Sequence, residues 1–512
     1  MSARISVASV LAESARRYPA KDALVLGPTR LTYAQVWAMA RKYATVLAAN
    51  GVGPGSRVAL LLPNIPHFAF AYYGALALGA TVVPVHALLK ADEIAYTLTD
   101  SKCQMLVTAA PLLAEEAKGA ELAGVPLMSV LDGDPEASAV ARLDTLAAQA
   151  EPVESFVPRN PSDEAVILYT SGTTGKPKGA VLTHDNILWN TATIAFDTID
   201  LRHEDVMLGV LPLFHSFGQT VVLNAGFRVG ATIVLMPRFD GAGALELMVS
   251  EGVTFFAGVP TMYMGLLAAA AESSARPQLR LAVSGGASIP VAVIERVKDV
   301  FGTDVYEGYG LSETSPVATF NQPFYGRKVG SIGCAIWGVK VGIADAEKEG
   351  TIDMLGPNTP GEIVIRGHNI FSGYLNKPEA TAAVMVDGWF RTGDIGQVDD
   401  DGFFFIVDRK KDLIIRGGFN VYPREIEEVM AQHPAISQVA VVGVPDDHYG
   451  EEIAAVIVLA SGQMIAEEEV IAWTSERVGK HKYPRRVHIV EALPIGPSGK
   501  VLKRVIIEEI TT

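Results

Sequence analysis

Cysteine is nearly absent from this chain: 512 residues carry two, Cys103 and Cys334. They lie far apart, so neither a disulfide framework nor a thiolate metal site is available, and a reducing, cytoplasmic setting is expected. Positive charge is also scarce. Lysine and arginine number 42 against 57 acidic residues, leaving a net charge of −15. That excludes the basic face needed for nonspecific nucleic-acid binding, and no nucleic-acid partner is expected. No uncharged apolar run is long enough to span a bilayer, so no integral membrane segment is expected. The longest candidate, "FAFAYYGALALGATVVPVHALL" (68–89), is interrupted by glycine and proline and reads as a helix followed by a strand. The opening "MSARISVASVLAESARRYPAKDAL" has no long apolar core and soon gains charge. It reads as an amphipathic helix rather than a signal peptide.

What is present fits a large globular enzyme. Hydrophobic residues make up 49% and charged residues 19%, which excludes a disordered chain. The length exceeds one ordinary domain, so two or more are expected. One run concentrates unusual chemistry: "YTSGTTGKPKGAVLTH" (169–184), rich in hydroxyls and glycine, with two lysines. The preceding "EAVILY" reads as a buried strand. Beyond the run, Thr183 is placed to cap a helix with apolar residues at helical spacing. Glycine lets backbone N–H groups converge, and hydroxyls and lysines add donors and charge, so such a loop can cradle phosphate. The pattern G-x-x-x-x-G-K-[ST] does not fit, because Pro177 follows Gly175-Lys176 and Thr170 stands where its first glycine belongs. A flexible surface turn is the plain alternative.

Short apolar runs alternate with alanine-rich amphipathic segments over residues 1–400. "SRVALLLP", "ATVVPV", "CQMLVTA", "EAVILYT", "DVMLGVLP", "ATIVLMP", "VTFFAGVP" and "LRLAVSGG" read as buried strands, and "YAQVWAMARKYATVLAANG" as a covering helix. The expected fold is α/β, a large N-terminal domain of mostly parallel sheets covered by helices. Ligands in such folds sit beyond the C-terminal ends of strands. "GEIVIRG" to "GFFFIVDRKKD" suggests a small β region. The character changes at "RKKD", and a boundary at 408–411 gives domains 1–408 and 409–512, the second smaller and α+β.

Four further stretches stand out. "YEGYGLSET" (306–314) sets Glu313 among glycines and an aromatic, and a carboxylate beside a phosphate loop suits Mg²⁺, which takes oxygen ligands. "GWFRTGDIG" holds Asp394 in a glycine-flanked turn, and a carboxylate can accept from vicinal hydroxyls. "DRKKDLIIRGGFNVYPREIE" crosses the boundary, and "LPIGPSGKVLKR" presents Lys500 on a glycine-rich turn. Taken singly, each is also compatible with an ordinary turn or surface residue.

Together, in this order, these stretches resemble the adenylate-forming superfamily of acyl-CoA synthetases, luciferases and peptide-synthetase adenylation domains. The likeness runs from "LTYAQV" to "PSGKVLKR" and is closest to fatty-acid and coumarate CoA ligases. The resemblance implies that a carboxylate attacks the α-phosphorus of ATP, giving acyl-AMP and pyrophosphate, and that a thiol then takes the acyl group. It implies that Thr170, Ser171, Gly172, Thr173, Thr174 and Lys178 hold the β- and γ-phosphates, that Glu313 holds Mg²⁺, and that Ser312, a serine where the family usually has threonine, meets the α-phosphate. Gly286 and Ala287, with Glu307, Gly308, Tyr309 and Gly310, would frame adenine, and Asp394 and Arg409 would bind ribose. Lys500 would bridge substrate carboxylate and α-phosphate, and it joins Glu313 and His215 as an expected catalytic residue. Lys411 occupies the family's hinge position. There the C-terminal domain turns between half-reactions, withdrawing Lys500 and bringing up Gly417 and Gly418 to leave room for a pantetheine arm. Ile415 stands where coumarate ligases carry lysine, so no charge role transfers to it.

The segment matching the amino-acid pocket of peptide synthetases, "LPLFHSFGQT", carries His215 and no acid, so a buried α-ammonium would lack a partner. The implied acyl pocket, His215, Phe217, Gly258, Val259, Gly285 and Gly333, suits an apolar fatty, aryl or bulky polycyclic acid. Lys500 lies close to the last residue, so the acceptor thiol is expected on another molecule. CoA is the family default, with Arg238, Arg416 and the basic run "KHKYPRR" (480–486) as phosphate contacts; the run also reads as a solvated face. An acyl carrier protein and a luciferase-like use of the adenylate are the alternatives. The oligomeric state is left open.

Overall fold

The computed structural model describes residues 5–132, 140–170, 176–446, 448–496 and 501–511. Each apolar run quoted above forms a strand, and the strands sort into two helix-covered sheets. In the first, Val305–Gly310, Leu281–Ser284, Phe255–Gly258, Val206–Gly209, Thr232–Leu235 and Asp22–Leu26 lie side by side and parallel. Antiparallel strands flank them: Val317–Phe320 and Cys334–Ala335 at one edge, Thr29–Thr32 at the other. In the second, Glu164–Thr170, Thr81–Pro84, Arg57–Leu61, Met105–Ala109 and Leu127–Val130 are parallel, and Lys178–Thr183 and Gly373–Tyr374 extend one edge antiparallel.

The helices follow from local sequence. Ser9–Arg17 buries Val10, Leu11, Ser14 and Ala15 and ends in Arg16 and Arg17, the amphipathic helix expected there. Thr32 caps Tyr33–Ala49 through a reciprocal bond with Gln35. Pro66 opens Pro66–Ala77, where its missing N–H costs nothing. A Cβ at Gly74 would stand 2.8 Å from the Ala40 carbonyl oxygen, so glycine there lets these two helices meet at backbone distance. One apolar core runs between the two sheets and includes Tyr33, Tyr43, Phe68, Tyr72, Tyr73 and Phe227, all fully buried.

The small β region is a third, antiparallel sheet of Val339–Ala344, Gly361–Gly367, Trp389–Val398, Met385–Val386 and Phe404–Arg409. Its last strand ends at Arg409. The next strand, Ile414–Arg416, belongs to a fourth sheet with Phe419–Val421, Gly450–Leu459, Ile436–Asp446 and Arg486–Val490. That sheet has its own core, built on Ile414, Val421, Ile426, Val441, Ile453 and Val470. Among the described residues, no helix is long and apolar enough to cross a membrane.

Candidate active site

The hydroxyl- and glycine-rich run turns out to join two strands of one antiparallel hairpin. Glu164–Thr170 pairs with Lys178–Thr183, and Thr170 stands opposite Lys178 at the end that the run closes. The sequence reading placed a strand before the run but missed the one after it, because "KGAVLT" is short and runs straight into a helix. Thr183 does cap that helix, His184–Ala192, exchanging bonds with Asn186. Ser171, Gly172, Thr173 and Thr174 lie outside the described residues, as does Lys500.

Glu313 comes to the hairpin's loop end from another sheet. It sits on the single turn Ser312–Thr314, which follows Val305–Gly310, and its carboxylate is buried. Glu313 Oε1 accepts from the Tyr374 hydroxyl at 2.9 Å and from Thr170 Oγ1 at 3.4 Å. Its backbone carbonyl accepts from Phe371 N at 2.9 Å, which fixes the turn. Lys178 Nζ lies 5.2 Å from the centre of the Tyr374 ring. Burial, and after it the Glu313 charge, holds the Tyr374 phenol above its ordinary pKa, so it stays a donor. Tyr374 is a site residue that the sequence reading missed; its signal was an aromatic between glycine and leucine in "SGYL".

Tyr309 and Asp394 tie the first sheet to the third. The Tyr309 hydroxyl donates to Asp394 Oδ2 at 2.6 Å. Asp394 pairs with Arg409 across adjacent strands, and Arg409 Nε lies 3.5 Å from Asp394 Oδ1. A carboxylate has about four lone-pair positions, so this one can still accept from two hydroxyls. Burial, followed by the neighbouring Asp394, keeps the Tyr309 phenol protonated. Glu307, on the same strand as Tyr309, is buried; burial raises its pKa to about 7 against the opposing pull of Arg424.

The expected acyl-pocket residues gather in part. A Cβ on Gly285 would stand 3.3 Å from the Phe217 ring and 3.4 Å from the Gly308 carbonyl oxygen, and one on Gly286 would stand 3.6 Å from Val259. Gly285 of "SGGA" thus stands between Phe217 and the "EGYG" segment, and Ala287 is exposed. At Gly258, a Cβ would strike the Phe256 ring at 2.7 Å; at Gly333 it would strike the Phe320 backbone at 1.9 Å. Glycine at these two positions is set by packing. Gly310 is set likewise by the Pro316 carbonyl oxygen. His215 is half-buried and its Nδ1 accepts from Phe217 N at 3.2 Å, leaving Nε2 to carry the proton in the neutral ring. The helical segment after it, Gly218–Asn224, is π-wound, a widening often found at functional sites.

On the C-terminal part, Gly417 and Gly418 have φ of +56° and +83° and link Arg416 to its partner Phe419. That is a two-residue hairpin turn in which both central residues take positive φ. Arg416 does not offer its charge as the sequence reading expected. It forms a two-point ion pair with Glu452, at 2.5 and 2.8 Å, beneath the Tyr449 ring. In the basic run, Lys482 pairs with Glu425, and Arg485 binds the Tyr483 and Lys480 carbonyls. Arg238 is exposed. Lys411 is exposed on a turn closed by Asp412 N donating to the Arg409 carbonyl at 3.0 Å.

Among the described residues, no cluster of three or more metal-binding side chains occurs. A hard cation at Glu313 would therefore draw its remaining oxygens from phosphate and water, the habit of Mg²⁺.

The family described as AMP-binding enzyme matches residues 11–375, and the AMP-binding enzyme C-terminal domain matches residues 425–500. The chain is 37% identical to the long-chain-fatty-acid–CoA ligase of Bacillus subtilis, covering 98% of this chain and 94% of that one. It is 38% identical to a feruloyl-CoA synthase of Amycolatopsis, covering 96% of each. Among solved structures, ATP-bound MatB from Rhodopseudomonas palustris superimposes with a TM-score of 0.89 at 32% identity, covering 99% of both chains. The apo form of MatB, over the same coverage, gives 0.79. With identities above 30% along nearly its whole length and both family matches in chain order, this chain belongs to the AMP-binding enzymes.

Proposed function

We propose that the chain is an AMP-forming acid–thiol ligase, an acyl-CoA synthetase. The substrate carboxylate attacks the α-phosphorus of ATP, the bond to the bridging oxygen breaks, and pyrophosphate leaves. The CoA sulfur then attacks the acyl carbon, and AMP leaves. The observation that carries this reading is the meeting of Glu313 with Thr170, which sets a buried carboxylate at the loop end of the hydroxyl- and lysine-rich hairpin. Such chemistry depends on positioning and on neutralising phosphate charge.

Thr170 and Lys178, with Ser171, Gly172, Thr173 and Thr174 of the connecting run, receive the β- and γ-phosphates, and Ser312 receives the α-phosphate. Glu313 holds Mg²⁺, which supplies charge neutralisation on the phosphoryl oxygens when bound. Tyr309, Gly286 and Ala287 frame adenine with the strand end Glu307–Gly310. Asp394, oriented by Tyr309, accepts from the ribose hydroxyls, and Arg409 completes that contact. Lys500 reaches the α-phosphate and the carboxylate in the first half-reaction. For the second, the part beyond residue 408 turns about Lys411, and the Gly417–Gly418 turn makes room for pantetheine.

The acid is apolar. Phe217 adjoins Gly285 and Val259 adjoins Gly286, and none of them brings a charge. The names of the two relatives span a long-chain fatty acid and a phenylpropenoid acid. Fatty, aryl and bulky polycyclic acids are the classes to test, and amino acids the class to find inactive. CoA is the acceptor; a carrier-protein thiol is the competing acceptor, and a cytoplasmic setting suits the two unpaired cysteines. The test is pyrophosphate release across an acid panel, with and without CoA, and mass spectrometry of the thioester. Acid-dependent pyrophosphate without acyl-CoA would move the assignment to a carrier-loading ligase. No acid-dependent pyrophosphate at all would remove it.

A further inference from the structure

Asp408 joins two parts of the chain that the turn at residues 410–412 separates. It lies on Phe404–Arg409, the last strand of the third sheet, and is buried. Helix Pro423–Met430, on the far side of the turn, has no capping side chain of its own. Its first residue is proline, so the first N–H it can offer is that of Arg424. That N–H donates to Asp408 Oδ2 at 3.0 Å; Asp408 Oδ1 takes Arg409 N at 2.7 Å. A carboxylate at this end of a helix also meets the positive pole of the helix dipole. The Arg424 guanidinium donates to the Ile406 carbonyl at 2.9 Å and to Glu428 at 2.9 Å. Lys503 lies three residues after Lys500. It pairs with Glu427 at 2.8 Å on the same helix, and Asp408 and Asp412 both lie close enough to favour its charge. Glu427 also accepts Val441 N at 2.8 Å, so it is fixed within the fourth sheet's core.

A rotation about Lys411 would leave Asp408 with the third sheet and carry Arg424, Glu427 and Lys503 away. Asp408 would then lose the Arg424 N–H and the nearby Lys503 ammonium, which here oppose the burial and the Glu427 charge that raise its pKa. The Arg424 N–H bond and the Lys503 charge are contacts of the present arrangement, and the rotation would break them. That arrangement superimposes on ATP-bound MatB with a TM-score of 0.89 and on apo MatB with 0.79.

We propose that Asp408 is a positioning residue: by capping helix Pro423–Met430 across the turn and facing Lys503, it holds the C-terminal part, and with it the Lys500 segment, in the arrangement that forms the adenylate, and it lets go for thioester formation. The proposal rests on the two-arrangement reading given above.

The test reads the arrangement directly. Paired spectroscopic labels are placed on the exposed residues Glu347 and Glu468 as Glu347→Cys and Glu468→Cys, with Cys334→Ser and the buried Cys103 left in place. Distances are recorded with ATP, and again with a nonhydrolysable acyl-adenylate plus CoA. Asp408→Ala with ATP is expected to move the population ratio of the two distances about tenfold toward the second state, the equivalent of about 1.4 kcal/mol. Lys503→Gln should move it in the same direction. Single-turnover adenylation should slow in Asp408→Ala, while thioester formation from supplied acyl-adenylate is kept or quickened. Unchanged distances with ATP, or equal loss of both half-reactions in the folded variant, overturn the role of Asp408. If the wild-type distances are the same in both ligand states, the domain rotation itself is wrong and the proposal goes with it.

Discussion

Tyr309 and Asp394, 85 residues apart in the chain, share a hydrogen bond of 2.6 Å from phenol to carboxylate. The bond couples the last of the first sheet's parallel strands to the longest strand of the third, so the proposed adenine wall and the proposed ribose acceptor move as one piece.

Tyr309→Phe keeps the ring and removes only this donor. A hydrogen bond to a charged acceptor contributes about 1.5–3 kcal/mol, so KM for ATP should rise roughly tenfold or more. The maximal adenylation rate should fall far less, because the missing bond orients a binding group. ATP titrations of pyrophosphate release at saturating acid make the measurement. A fall in rate with KM unchanged would remove Asp394 from nucleotide binding.

Glu313→Gln keeps the bonds from Tyr374 and Thr170 within reach but removes the charge. The Mg²⁺ concentration for half-maximal adenylation should rise by roughly tenfold, because a hard cation bound here would lose the negative charge of the carboxylate proposed to hold it. Tyr374→Phe is the control: it frees Glu313 of one donor and leaves its charge. An unchanged Mg²⁺ titration in Glu313→Gln would exclude this residue as the ligand.

Glu307 gives a pH dependence whose sign follows from its burial. Its pKa rises from an ordinary 4.5 to about 7 in the fold. Between those pH values the folded chain holds a proton that the unfolded chain has lost. Stability therefore falls as pH rises through this window, by about 3 kcal/mol in all, and is lowest above pH 7. Glu307→Gln should flatten this dependence and be the more stable form at pH 8. Urea midpoints at pH 5, 6, 7 and 8 for the two proteins decide it: parallel curves would mean that Glu307 does not carry the proton.

Local features of the fold were legible, and contacts between distant segments were not. Thr183 announced a helix because its capping partner lies three residues on, in Asn186. The adjacent glycines 417 and 418 between extended residues are a hairpin signal in their own right. The buried strands were visible because parallel strands covered on both faces must be apolar throughout. By contrast, Arg416 looked like a free cation because its partner Glu452 lies 36 residues away on another strand. Tyr374 carried no chemistry until Glu313 arrived from 61 residues upstream. Asp394 and Arg409 were legible as site residues through family resemblance, while their direct pairing depends on strand register that no short motif states.

Lys411→Pro tests the hinge. Lys411 is the third residue of the turn closed between the Arg409 carbonyl and Asp412 N, with Lys410 before it tethered to Glu349 at 2.9 Å. Proline fixes its own φ near −65° and pushes the preceding residue toward extended backbone, so a segment that must adopt two conformations is restricted to one. Lys411 is exposed, so the substitution deletes no buried contact. The two half-reactions should separate: one stays near the wild-type rate and the other falls by at least roughly tenfold, as expected where a conformational step gates turnover. Lys411→Ala leaves φ free and should keep both. Single-turnover adenylation, and thioester formation from supplied acyl-adenylate, are measured side by side in all three proteins. Lys500→Ala supplies the reference for a purely chemical defect, since it should lose adenylation and keep thioester formation. If Lys411→Pro left both rates unchanged, or lowered both equally while folded, rotation about this residue would not be part of the mechanism.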